Sequence, residues 1–230
     1  MQKVIYLMWA GVPGPEFNQR LLSWLAPELA AQAGVKRIQL NLVDDAVAAA
    51  SALRMENSAQ GFDAMCSLYL DDGAERLVLQ EYIQSCCVQF SRYHVDEFEA
   101  LENTTQRVGR GQRTPGFSQV ALLRCPQNMA YEDWRGYWQG THTQIAIDTQ
   151  SSFRYVQNVV TELAGSDVGC YHAIVEECFP AEAMTDPEVF YAAKGDPEKY
   201  QANCQKMISS CQNFIDFDEI DVIPTSEYQF

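Results

Sequence analysis

A chain of 230 residues is long enough for one large domain or two of about 115, and with 47% apolar residues it is not a disordered one. The formal net charge of −15 argues against nucleic acid or an anionic membrane as partner, because an acidic surface is repelled by both. No run approaches the roughly 18 apolar residues of a membrane span.

The opening MQKVIYLMWAGVPGPE has about eight apolar residues, followed by Gly-Val-Pro-Gly-Pro in place of a small-residue cleavage site, so residues 3–9 read as a first strand. The expectation is a cytoplasmic chain with reduced thiols. A helix over 16–33 follows, with Pro15 suited to its first turn and Gly34 to its end. Strands are expected at 36–43 and 62–70, separated by an Ala- and Ser-rich stretch, 44–61, longer than a hairpin needs and fit for a helical turn or an exposed lobe. A helix over 72–87 and a strand over 93–101 complete a first unit. The linker 104–116 carries Arg107, Arg110 and Arg113 among glycines and a proline; it reads as a solvated boundary whose arginines meet acidic neighbours.

The order then recurs. A strand at 119–125, a helix at 131–148 and strands at 152–163 and 169–179 lead to a helical region, 181–213, that Asp186-Pro187 and Gly195-Asp196-Pro197 break in two. A strand over 214–228 closes the unit. Matching the apolar starts and ends of the two units gives offsets of 116 at the front and 122 at the back. Strand, helix, strand, strand, helix, strand is the ferredoxin-like βαββαβ order. The expected architecture is α+β: two tandem units, 1–115 and 116–230, packed sheet to sheet as an intrachain dimeric α/β barrel. Two such chains can still associate, so a homodimer stays open.

The best site lies in the second unit. Trp134, Trp138, His142 and Ile145 form one stripe of the helix, placing an imidazole between aromatic walls for a flat apolar ligand. His142 can act as acid or base, or can be a core histidine bonded to a carbonyl. His172 and Glu176 share a strand face that either looks toward the helix, where Glu176 could orient a histidine, or toward the opposite sheet, where both would be structural. Tyr155 and Asn158 can each hold a substrate oxygen, but regular alternation puts them on opposite faces. His94 reads as a surface strand residue beside acids. The three histidines lack HxH or HxxxH spacing, none of the eight cysteines forms a CxxC, and no P-loop, dinucleotide fingerprint or nucleophile elbow occurs, so no metal or cofactor is expected.

Three pieces of the second unit, YEDWRGYWQGTHTQI, FRYVQN and Glu176-Glu177-Cys178-Phe179, resemble the EthD family of the dimeric α/β-barrel superfamily, over most of residues 118–228. The resemblance implies a site between each sheet and its helices and cofactor-free chemistry on small aromatic or polyketide-like molecules. It does not select a reaction, since the superfamily includes lyases, cyclases and cofactorless oxygenases beside members without known activity. Cys178 departs from the pattern, which often has an aromatic there, and the first unit has no histidine near Leu25. The sequence therefore supports an acid–base enzyme using His142, with Glu176, His172 or Tyr155 assisting. A non-catalytic carrier of a small apolar ligand, or a haem protein with His142 as axial ligand, are the alternatives.

Overall fold

The computed structural model describes residues 1–57, 61–74, 76–165 and 171–230. In chain order, β1 is Gln2–Trp9 and β2 Val35–Leu42. Between them runs helix α1, made of Pro15–Arg20, a π turn Leu21–Leu25, and Ala26–Ala30. A 3₁₀ helix, Asp45–Leu53, and a two-residue strand β3, Met55–Glu56, occupy the long stretch before β4, Ala64–Leu70. Helix α2, Arg76–Gln84, and β5, Gln89–Leu101, end the first unit. The second has β6 at Phe117–Leu123 and helix α3, made of Tyr131–Tyr137, a π turn Trp138–His142, and Thr143–Thr149. Then come β7, Arg154–Gly165; β8, Ala173–Phe179; the short helix α4, Pro187–Phe190; α5, Pro197–Cys211; and β9, Asp221–Gln229. The start of the expected strand at 169–179 lies outside the described residues.

The strands run β2-β4-β1-β5-β7-β8-β6-β9, and β9 pairs back onto β2, closing an eight-stranded antiparallel barrel with β3 added at the side of β9. The architecture is therefore α+β, with two βαββαβ-like units. Closure removes the open edges a sheet must otherwise protect. No helix among the described residues is long and apolar enough to cross a membrane.

Alternation along each strand divides the side chains into an inner and an outer set. Inward, Ile5, Leu7, Met65, Tyr93, Val120, Leu122, Ile174 and Ile223 make an apolar half of the barrel. The other half is polar. Lys3 on β1, Gln39 on β2 and Glu176 on β8 meet although their strands are not neighbours, so their contacts cross the barrel. Outward, Val4, Tyr6, Leu40, Cys66 and Leu68 pack under α1 and α2, and Ala121, Val159, Ala173 and Val175 pack under α3 and α5.

Among the described residues, Gly116 and Gly34 combine a positive φ with neighbouring backbone where a Cβ would stand. Gly116, at φ 87°, directly precedes β6, and a Cβ there would lie 1.9 Å from the Phe179 carbonyl oxygen. Gly34, at φ 83°, ends the turn after α1, and its Cβ would lie 2.8 Å from Ala74 backbone atoms. The linker runs beside β9, where Gly111 N–H donates to the Gln229 carbonyl and Thr114 N–H to that of Glu227. Arg107 pairs with Glu102, whereas Arg113 donates to Ser226 Oγ and the Gly116 carbonyl.

The equivalence of the two units differs from the expected one. The π turns stand 117 residues apart, Leu21 against Trp138 and Leu25 against His142. An offset of 116 would match outward Val4 with inward Val120 and so reverse every face. At the back, Val95 opposite Lys3 corresponds to Ile223 opposite Val120, an offset of 128 in place of 122. Phe217–Glu219 form a turn before β9, because their alternation of apolar and acidic residues suits a capped turn as well as a strand end.

Candidate functional site

The cavity of interest lies between the outer face of the second unit's strands and its helices. It encloses about 350 Å³, enough for a small organic molecule. Its walls are mostly apolar: Ala121, Leu123, Val175 and Val222 from the sheet, Met207, Ile208 and Cys211 from α5, with Phe190 and Phe214 closing the sides. His142, Glu177, Tyr155, Gln150 and Gln119 supply the polar groups.

His142 reaches this cavity through the π turn. Thr143 N–H donates to the Trp138 carbonyl five residues back, and Thr143 Oγ1 donates to the same oxygen at 2.9 Å. The widened turn holds Trp138 and His142 on the cavity side together. His142 Nδ1 lies 2.9 Å from Ser210 Oγ, and its ring packs on Phe214 with centroids 4.5 Å apart. Burial lowers its pKa to about 4, so the imidazole is neutral at pH 7. The first unit has the same turn with Leu25 at this place, fully buried among apolar neighbours. The turn thus belongs to the fold, and the histidine distinguishes the second unit.

Tyr155 and Glu177 are direct cross-strand partners on β7 and β8. The Tyr155 hydroxyl accepts from Trp138 Nε1 and Gln157 Nε2, each at 3.2 Å, and burial followed by the facing Glu177 pushes its pKa up. Glu177 is buried, its Oε1 has no hydrogen-bond partner among the described residues, and burial raises its pKa to about 7. In the first unit Leu70 takes its place: Gln2 pairs with Leu70 as Gln119 pairs with Glu177. Gln150, just past α3, places a second buried acceptor, Oε1, without a partner among the described residues.

Of the seven residues expected at a site, the structure brings Trp138, His142 and Tyr155 together at this cavity. Trp134 stands behind them, its Nε1 donating to the Phe214 carbonyl at 3.0 Å and its ring 5.4 Å from that of Trp138. His172 precedes β8; its Nδ1 accepts from Cys125 N–H at 3.0 Å, and its ring rests near Tyr131 and Trp134. Burial and then Arg124 lower its pKa. Glu176 and Asn158 point into the barrel, not to the helices. Asn158 Nδ2 donates to Glu176 Oε1 at 2.9 Å, and Lys3 Nζ lies 3.0 Å from the same oxygen. Burial opposes ionisation of Glu176, but Lys3 and Arg154 overcome it and hold its pKa at about 2.

Glu177 was not among the expected residues, though the sequence held a signal for it. In a strand buried on both faces, two consecutive glutamates put one carboxyl on each side. Glu176 finds cations inside the barrel, and Glu177 is left facing an apolar cavity.

Residues 126–218 match the EthD domain, a stretch that contains His142, Tyr155 and Glu177. No curated protein matches the chain. Among solved structures, an anthrone oxidase-like protein superimposes with a TM-score of 0.58 at 8% identity, covering 100% of this chain and 91% of that one. A proposed monooxygenase from Lactobacillus acidophilus NCFM gives 0.50 at 11% identity, covering 99% and 93%. At these identities the likeness is one of fold, and that fold resembles the dimeric α/β-barrel superfamily.

Proposed function

We propose that this cavity is the active site of a cofactor-independent enzyme that moves a proton on a small, apolar, oxygenated ring compound. One observation carries the reading: a carboxyl, Glu177, is buried in an apolar cavity, has an unpartnered oxygen, and titrates near pH 7. A base is most useful when its pKa lies near the working pH. His142, held neutral with a pKa of about 4, is a poor proton acceptor at pH 7, so the base is Glu177 and not the histidine. With Nδ1 engaged by Ser210, His142 has Nε2 left to hold a substrate oxygen. Trp138 and Phe214 flank the ring, and Tyr155 fixes the polar side of the wall.

In this scheme the Glu177 carboxylate takes a proton from a phenol or from a carbon activated by a neighbouring carbonyl, and the resulting anion is stabilised by hydrogen bonds in a dry site. That anion is the common start of elimination, decarboxylation, cyclisation and reaction with dioxygen. The oxidase and monooxygenase descriptions of the two solved structures favour the last. The same reading takes the chain as a tandem pair divided at 115/116, in which the first unit keeps the frame and the second holds the chemistry; Leu25 and Leu70 at the places of His142 and Glu177 support it.

The test is isosteric replacement, Glu177→Gln, assayed by solvent deuterium exchange into activated phenols and 1,3-diketones. Loss of catalysed exchange with retained ligand binding is expected. Undiminished exchange would overturn the assignment, and ligand binding without exchange in the wild type would identify a carrier.

A further inference from the structure

The stretch between β2 and β4 belongs to the first unit in sequence yet is built onto the second. Its 3₁₀ helix packs Val47, Ala50 and Leu53 against Phe117, Phe179 and Phe190. Strand β3 then pairs with β9, Met55 opposite Val222. Beyond it, Asn57 N–H donates to Asp221 Oδ1 at 2.8 Å, and Asn57 Nδ2 donates to the Phe217 and Ile220 carbonyls at 2.9 and 2.7 Å. Between these anchors Leu53 and Met55 line the cavity of the second unit.

Met55 is also one of three large apolar side chains left open to solvent along that cavity. It is 37% exposed, Ile208 on α5 is 43% and Phe217 is 44%. Single exposed apolar residues need no explanation, but three around one opening form a surface that a bound apolar group would cover. The polar groups all come from the second unit, while the first supplies this side of the opening.

We propose that Leu53 and Met55 are specificity-determining residues, setting how large a ring system the cavity admits. This inference rests on the reading of the cavity as a ligand site. A small ring compound lies wholly within, against Trp138 and Phe214, with its hydroxyl toward Glu177. A longer one extends until its far ring passes between Ile208 and Phe217. Leu53 and Met55, held by β9 pairing and by Asn57, form the wall that the far ring meets.

The test is isothermal titration calorimetry of the full chain with 2-naphthol and 1-hydroxypyrene, for the wild type, Leu53→Ala, Met55→Ala and Met55→Trp. The expected result for Met55→Trp is an affinity for 1-hydroxypyrene about tenfold weaker relative to 2-naphthol, the scale of a steric change in an apolar pocket. Both alanine variants should shift that ratio the other way. Met55→Ala alters an exposed side chain and decides the matter if the tryptophan variant does not fold. Ratios that stay within about twofold across all variants, with both probes bound, would overturn this inference and leave the cavity reading standing. Failure of the wild type to bind either probe would overturn both.

Discussion

Tyr155 and Glu177 stand opposite each other on β7 and β8, both facing the helices, while the next residue back on β8, Glu176, faces the barrel interior. The two carboxyls are adjacent in sequence and opposite in chemistry. Glu176 meets Lys3, Arg154, Gln39 and Asn158 and is held ionised, whereas Glu177 meets apolar walls and is pushed toward neutrality.

Glu177 should govern both rate and pH dependence. Glu177→Gln is expected to lower turnover at least about 100-fold, and the wild-type rate should rise with pH through about 7 as the carboxyl ionises. A rate that is flat from pH 5 to 9 would rule out the carboxyl as base.

The same group carries a stability signature. Its folded pKa is raised, so the folded state binds the proton more tightly, and stability falls as pH rises from the unfolded carboxyl range, about 4.5, through about 7. Glu177→Gln should leave the melting temperature nearly unchanged near pH 4.5 and raise it at pH 8, by the equivalent of roughly 3 kcal/mol. Equal melting curves for both proteins at pH 8 would contradict this.

Glu176→Gln should behave in the opposite way. It leaves Lys3 and Arg154 buried with one carboxylate fewer, and a loss of about 3 kcal/mol in urea unfolding is expected at pH 7. The Glu176 pKa is depressed to about 2, so its contribution is present above the unfolded carboxyl range and disappears as pH falls toward about 2. Binding of 2-naphthol should not change, because this side chain faces the barrel and not the cavity.

His142 should titrate far below an ordinary histidine. Burial depresses its folded pKa to about 4, so its neutral form supports the fold above about 6.5, and that support is lost as pH falls from there toward about 4. The Cε1 proton resonance of His142, followed by NMR, should shift with a midpoint near 4; a midpoint near 6.5 would show a solvated ring.

Gly116→Ala probes the entry to β6. The added Cβ meets the Phe179 carbonyl oxygen in a backbone conformation that alanine resists. A loss of at least about 3 kcal/mol is expected, read as poor soluble yield or early unfolding, whereas wild-type stability would mean the β6–β8 start can shift aside.

Much of the frame was readable from residue pattern. Apolar, β-branched runs marked the strands, Pro15 and Gly34 bracketed α1, and the aromatic stripe Trp134, Trp138 and His142 predicted the face that α3 buries. These are local properties: propensity, period and turn chemistry act within a few residues. Tertiary packing decided the rest. Whether Glu176 or Glu177 looks at the helices depends on which face of β8 closes against Lys3 across the barrel, a contact 173 residues away in sequence. Whether Leu53 and Met55 border a cavity depends on β3 joining β9 and not its own unit. The basicity of His142 and of Glu177 follows from how completely each is removed from water, and only the assembled layers of sheet and helix set that.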